Sequence, residues 1–316
     1  MTKIAFVGMG SIGKRHFRNL CALMEQEKRN FSVDLYRSGM GADLEPSLAA
    51  SVHREFLLSN DSHVGEAYDV VFITNPTSAH YETVRRFTGA AKAMFIEKPV
   101  FHNPDVDLEA LRLRTDGIYY VACPLRYHPV IDYIRTRIPC GQAYAVRAIC
   151  SSYLPDWRPG TDYRTCYSAH RSMGGGVDID LIHEWDYLTC LFGPARSGFV
   201  IQDKISNLEI DSNDLAVYIA RTEHTAIELH LDYFGRKPIR QLQIFFPEDT
   251  VDCDILTGDI CWRVSGEHVH LDSARDSYQT AELRHFFEIV DGKRSNDSDI
   301  PGALQVLRYA RGEFDQ

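Results

Sequence analysis

No apolar run in this sequence approaches the roughly 20 residues that a bilayer-spanning helix needs, so no segment of it reads as transmembrane. The opening MTKIAFVGMG has an apolar part too short for a secretory signal, and it runs at once into glycines. The expected location is the cytoplasm. No block of lysine and arginine stands out, and the balance is acidic, with 34 basic against 44 acidic residues and a net charge of -10. A nucleic-acid phosphate backbone is therefore not an expected partner, and neither is a membrane. None of the 8 cysteines forms a C-x-x-C pair, which leaves reduced thiols in the core and no structural zinc site. Repeats and low-complexity tracts are absent, which excludes solenoid and fibrous classes.

What remains is an ordinary globular composition, 44% hydrophobic and 25% charged, over 316 residues, a length that suits two domains. KIAFVG (3–8), FSVDLY (31–36), EFLL, YDVVFIT (68–74), KAMFI (92–96) and GIYYVAC (117–123) read as short buried strands. Helical patterns lie between them at about 10–28, 43–54, 78–90 and 104–115. This alternation predicts βαβ units and a parallel sheet over 1–122. Beyond Cys123 the pattern changes. A helix begins near Pro129, and GQAYAVRAICSSYL reads as a long strand. A polar aromatic loop runs from Pro155 to about Arg171, and one helix extends from the triple glycine to LFGP. TAIELHLDY and RQLQIFF alternate apolar and polar residues, as strands of an antiparallel sheet with one covered face do. Helices over 278–291 and 301–311 close the chain. The expected fold is an α/β Rossmann domain, 1–122, followed by an α+β domain, 123–316, built on a large open, mainly antiparallel sheet.

Gly8-Met9-Gly10-Ser11-Ile12-Gly13 matches G-x-G-x-x-G after the first strand and at the start of the first helix. In that context the glycines permit a tight turn and close approach of a pyrophosphate, and the helix start offers N–H donors. An NAD enzyme usually carries an acid at the end of the second strand. Here the tip is Tyr36-Arg37-Ser38, and Asp34 lies within the strand. Arg37 and Ser38 can bind a 2′-phosphate, which favours NADP and leaves NAD possible; an ordinary surface arginine is the plainer reading.

Four motifs then follow in order: GMGSIG, TNPTSAH (74–80), EKP (97–99) and GGGVDIDLIHEWDYLTCLFG (174–193). Together with LRYHP (125–129) and PGALQVLRYA near the end, they resemble the Gfo/Idh/MocA family, the glucose-fructose oxidoreductase and inositol dehydrogenase group. The likeness covers essentially the whole chain. It implies NAD(P)-dependent oxidation or reduction at a carbinol carbon of a sugar, cyclitol or nucleotide-sugar. It also implies a homodimer or homotetramer joined through the C-terminal sheet. One departure is visible: Asp180 and His183 are three apart, where many members have four, so Glu184 competes for one of their roles.

Under that resemblance Thr74, Asn75 and Pro76 line the cofactor cleft, and His80 reaches the same region. Lys98 is the expected catalytic cation, stabilising negative charge on the reacting oxygen. Pro99 fixes the backbone after it, through a bond that the resemblance implies is cis, and Glu97 orients the lysine or the nicotinamide ribose. His183 is the candidate general base, since imidazole titrates near neutral pH. Asp180 orients it or contacts substrate; the bland alternative is a structural Asp–His pair. Asp186 and Tyr187 read as packing residues. Trp157, Tyr163 and Arg164, with Arg158 and Asp162, give the loop sugar-binding character, and Arg126 with Tyr127 lies at the domain junction. No metal is expected, because HEWDY is not H-E-x-x-H. Two other functions share these features: an NAD-dependent glycosidase with transient redox, and a non-catalytic dinucleotide-binding regulator. Having both Lys98 and His183 weighs against the regulator.

Overall fold

The computed structural model describes residues 1–39, 44–58 and 64–314. The chain forms two compact units, one of Met1–Ala122 with Arg275–Leu304, the other of Cys123–Ala274 with the chain from Gln305 onward.

In the first unit β1 (Thr2–Val7), α1 (Ser11–Gln26), β2 (Phe31–Arg37), α2 (Pro46–Ala49), β3 (Val52–Leu57), β4 (Tyr68–Ile73), α3 (His80–Phe87), β5 (Ala91–Ile96) and β6 (Ile118–Val121) follow in turn. The strands form one sheet in the order β3-β2-β1-β4-β5-β6, parallel throughout. Strands covered on both faces must be apolar along their whole length, and Ile4–Val7 and Val70–Ile73 are fully buried. The order reverses direction between β1 and β4, and ligands of such sheets bind at that switch point, beyond the carboxyl ends of the strands.

Two expected helices differ. Over 104–115 only one turn forms, Glu109–Leu111. Asp107 takes the N–H groups of Glu109 and Ala110 at 2.9 and 3.1 Å, and Arg112 at φ 50° ends the turn. The stretch expected over 43–54 contracts to α2, because the β-branched and aromatic residues from Val52 pair with β2; residue 43 lies outside the described residues. The bare face of β5 and β6 is covered instead by a helix from far along the chain, Arg275–Val290. Its Phe286 packs on Phe95 and Tyr120 at 5.3 and 5.5 Å and on Phe72 at 6.1 Å. A linear reading assigns 123–316 to one domain; residues 275–304 belong to the first unit.

The second unit holds α4 (Pro129–Arg137), β7 (Ala145–Tyr153), α5 (Val177–Asp180), α6 (His183–Phe192), β8 (Ser197–Asp203), β9 (Leu215–Arg221), β10 (Ala226–Asp232), β11 (Phe234–Phe245), β12 (Thr250–Asp254), β13 (Asp259–Trp262) and β14 (His268–His270). Its eight strands run β14-β13-β12-β11-β7-β10-β9-β8, antiparallel except for β7 with β10. Alternation does what the sequence pattern requires: Ala216, Tyr218, Ile227, Leu229 and Leu231 are buried, while Ile219, Glu228 and Arg147 face the open side. The single helix expected from the triple glycine to LFGP is broken at Leu181–Ile182 into α5 and α6.

Candidate active site

The glycines of the first loop have separate tasks. Gly8 has φ +91°, and a Cβ there would lie 2.6 Å from the Asn75 backbone. A Cβ on Gly13 would meet Thr74 Oγ1 at 2.8 Å and the Gly8 carbonyl at 2.9 Å. These two glycines let β1, α1 and the end of β4 pack together, and Thr74 Oγ1 donates to the Gly8 carbonyl at 2.8 Å to hold the loop. Gly10 is different: nothing lies within 4 Å of its Cβ position. The space is open, at the start of a 16-residue helix that has no side-chain cap and no acid in its first turn. Uncapped N–H groups beside that space suit an anionic pyrophosphate, so the loop fits the dinucleotide that its motif implies.

At the end of β5, Glu97 is buried and Lys98 half-buried. Glu97 Oε1 is hydrogen-bonded to His16 Nε2, and Oε2 accepts from the Lys98 backbone N–H at 3.1 Å. Burial pushes the Glu97 carboxyl up, but the His16 hydrogen bond and the charges of His16, Lys98 and His80 outweigh it, and the group sits below the usual carboxylate range. The Lys98–Pro99 peptide is cis. His80, expected to reach the cofactor, is buried, and its ring is committed to backbone. Nδ1 lies 3.2 and 3.1 Å from the carbonyls of Pro99 and Val100, and Nε2 lies 2.9 Å from that of Asn75. Burial, opposed by these contacts, pushes its pKa down. His80 therefore acts on the strand ends through their backbones. Asn75 in turn donates to Thr83 Oγ1 at 2.8 Å.

Asp34 is buried, accepting from Arg54 at 2.6 and 3.2 Å and from the Tyr68 hydroxyl at 2.9 Å. That commits it away from any ribose. Arg37 lies at the end of β2, 3.2 Å from Glu55, and Ser38 beyond it is exposed.

In the second unit the triple glycine serves the chain itself. A Cβ on Gly175 would stand 2.1 Å from the Tyr167 carbonyl, and one on Gly176 (φ +146°) 2.4 Å from Asn213 Oδ1. The close approach of Gly175 is to the loop over 167–168. Asp180 is buried, and both its oxygens accept from tyrosines: Oδ1 from Tyr167 and Oδ2 from Tyr233 at 2.6 Å. Burial, then the Asp180 charge, pushes both phenols up, so they remain donors. His183 opens α6, half-buried.

Glu184 is fully buried in a two-bond pair with Arg240, at 2.6 and 2.8 Å. It faces the sheet, which removes it as a competitor for the role of Asp180 or His183. Arg126, expected to bind substrate, is paired with Asp186 through two bonds at 3.0 and 2.6 Å. Arg164 is occupied by Asp162 at 2.9 Å and Glu209 at 3.0 Å, and the Tyr163 hydroxyl accepts from the Glu209 N–H at 3.1 Å. Trp157 stands edge-on to Tyr233, with centroids 5.3 Å apart, and donates to Ser152 Oγ at 2.9 Å. Sequence reasoning missed His16, Tyr167 and Tyr233. His16 left a signal, being a polar residue on the buried face of α1 with Gly13, Phe17 and Leu20; such a residue requires a partner. Among the described residues no cluster of three or more potential metal ligands occurs.

Residues 2–113 match the family model described as the oxidoreductase family with the NAD-binding Rossmann fold. That model is the Gfo/Idh/MocA one, and its match ends at residue 113. The uncharacterized oxidoreductase YrbE of Bacillus subtilis (strain 168) is 24% identical over 96% of this chain and 91% of its own. Among solved structures, UDP-N-acetylglucosamine 3-dehydrogenase GnnA from Acidithiobacillus ferrooxidans is 21% identical with TM-score 0.74, covering 99% of this chain and 98% of that one. Levoglucosan dehydrogenase in complex with NADH is 15% identical with TM-score 0.81, at the same coverages. At these identities the two structures establish the shared fold.

Proposed function

We propose that this protein is an NAD(P)-dependent oxidoreductase that acts on a CH–OH carbon of a sugar, cyclitol or nucleotide-sugar. The observation that carries the reading is the strand-end arrangement in the first unit. An open, uncapped glycine loop holds a place for pyrophosphate, and a buried Glu97, fixed by His16, bonds the backbone of Lys98. The family match and the two sugar dehydrogenases of the same fold support it.

When bound, the nicotinamide dinucleotide supplies the two-electron exchange. Gly8, Gly10, Ser11, Ile12 and Gly13 hold its pyrophosphate, with Thr74, Asn75 and Pro76 beside them. Lys98 stabilises negative charge developing on the substrate oxygen. His183 takes the hydroxyl proton, and Asp180, held by two phenols, contributes a fixed carboxylate three residues before it. Trp157 and Tyr163 offer faces to the substrate. Arg126 and Arg164, being paired, contribute through position.

Arg37 and Ser38, with no acid at the tip of β2, support NADP over NAD, although Glu55 competes for Arg37. The test is a thermal-shift and absorbance screen comparing NADP with NAD, then sugars, cyclitols and nucleotide-sugars at the reduced nicotinamide band. The expected result is turnover with NADP preferred, and a shift of preference toward NAD in Arg37→Asp. Unchanged preference removes the phosphate-pairing role of Arg37.

We further propose a homodimer or homotetramer through the open sheet face, on which neighbouring strands β8 and β9 expose Phe199, Ile201 and Ile219. Ile219→Asp should lower the mass seen by sedimentation; an unchanged mass rules this face out. The proposed setting is the cytoplasm: all eight cysteines are free, and no described helix is long and apolar enough to cross a membrane.

A further inference from the structure

The loop over 154–173 and the start of β11 place two cations on aromatic rings. The Arg158 guanidinium lies over the Tyr167 ring at 6.0 Å, and that of Arg236 over the Tyr153 ring at 3.9 Å. Both arginines are exposed, and neither forms an ion pair among the described residues. The contrast with Arg126, Arg164 and Arg240 of the same unit is chemical: each of those is neutralised by a carboxylate.

Both platforms are fixed. Tyr167 is held by its hydroxyl on Asp180 and by its backbone against Gly175. Arg236 projects from a bulge where the pairing of β11 with β7 shifts register between Phe234 and Ile239. Pro238 lacks the N–H that would continue the ladder there. Asp232 Oδ1 fixes the bulge by accepting from Phe234 and Gly235 at 2.9 and 2.8 Å, and a Cβ on Gly235 would come within 1.9 Å of Ser151 Oγ. The chain between Tyr153 and Trp157, and three contacts beyond it, link the two arginines. Tyr153 leads into the turn ending at Trp157, Trp157 packs on Tyr233, and Tyr233 and Tyr167 both bond Asp180. In a chain of net charge -10, two preorganised cations without carboxylate partners beside exposed aromatic faces suit an anion carried on an apolar-faced ring.

We infer that the substrate carries an anionic group, a carboxylate or a phosphate ester, and that Arg158 and Arg236 bind it. This rests on the oxidoreductase reading and narrows its substrate class to acidic or phosphorylated sugars.

The test uses the full chain saturated with dinucleotide, so that its own phosphate site is filled, and titrates it with glucose, glucose 6-phosphate, glucuronate and uridine diphosphate by calorimetry. Charged probes should bind and glucose should bind at least tenfold more weakly. Arg158→Gln and Arg236→Gln should each weaken the charged probes roughly tenfold, the size of one charge-assisted contact, and leave glucose unchanged. Binding of the phosphorylated probes alone assigns a phosphate ester; binding of glucuronate alone assigns a carboxylate. Equal affinity for glucose and its charged counterparts, or wild-type affinity for the charged probes in both variants, overturns the inference. Turnover separates the two claims. A neutral sugar oxidised in preference to every charged one defeats the inference and leaves the oxidoreductase reading standing. Anion binding through both arginines without turnover of any substrate does the reverse.

Discussion

A carboxylate taken out of water is tolerated only with donors around it, and Glu97 has them in His16 and the Lys98 N–H. Its folded-state pKa lies below the ordinary value, so the stability it contributes is present above the unfolded carboxylate pKa and is lost as pH falls through the folded one. Glu97→Gln should therefore cost about 1–3 kcal/mol near neutral pH, with the gap to wild type narrowing on acidification. Urea unfolding at a series of pH values measures this; a gap that widens on acidification contradicts the sign. At this scale the sequence disclosed the residues with obvious chemistry, Glu97, Lys98, Asp180 and His183. It did not disclose their partners, because His16 is 81 residues from Glu97 and Tyr233 is 53 from Asp180. Hydrogen bonds between distant residues leave no local spacing to read. His80 shows the same limit: its place in TNPTSAH was legible, but its three backbone carbonyl contacts were not.

Elements were legible where periodicity was strong. The strands of the parallel sheet and the alternation in β10 and β11 follow directly from apolar spacing. Reading failed where a local side chain or tertiary contact overruled the pattern, as with Asp107 at the single turn of 109–111 and the break at Leu181–Ile182. The glycine loop gives a direct test at this scale, since its glycines face different neighbours. Gly8→Ala should destabilise the fold by about 2–4 kcal/mol, from positive φ and contact with Asn75. Gly10→Ala has room in the fold, so stability should change by less than about 1 kcal/mol. Its methyl group would occupy the space left for pyrophosphate, so dinucleotide affinity should fall at least tenfold. Unfolding curves and calorimetric titration read the two effects separately. Tight dinucleotide binding by Gly10→Ala would remove the loop from the cofactor site.

For the whole molecule, four ordered motifs carried the family reading, and the family model matches residues 2–113, which hold the first three of them. The path of the chain was not legible. The helix Arg275–Val290 covers β5 and β6 although more than 150 residues separate it from them, and its composition resembles that of any helix with one apolar face. The central claim is that Lys98 serves chemistry and leaves dinucleotide binding to the glycine loop. The measurement is a comparison of wild type with Lys98→Met, reading dinucleotide affinity by calorimetry and, with a substrate from the screen, the rate of change at the reduced nicotinamide band. The account predicts affinity within about threefold of wild type and turnover lower by about 10²–10³, the cost of losing one electrostatic contact to the reacting oxygen. A Lys98→Met protein that turns over at the wild-type rate would contradict it.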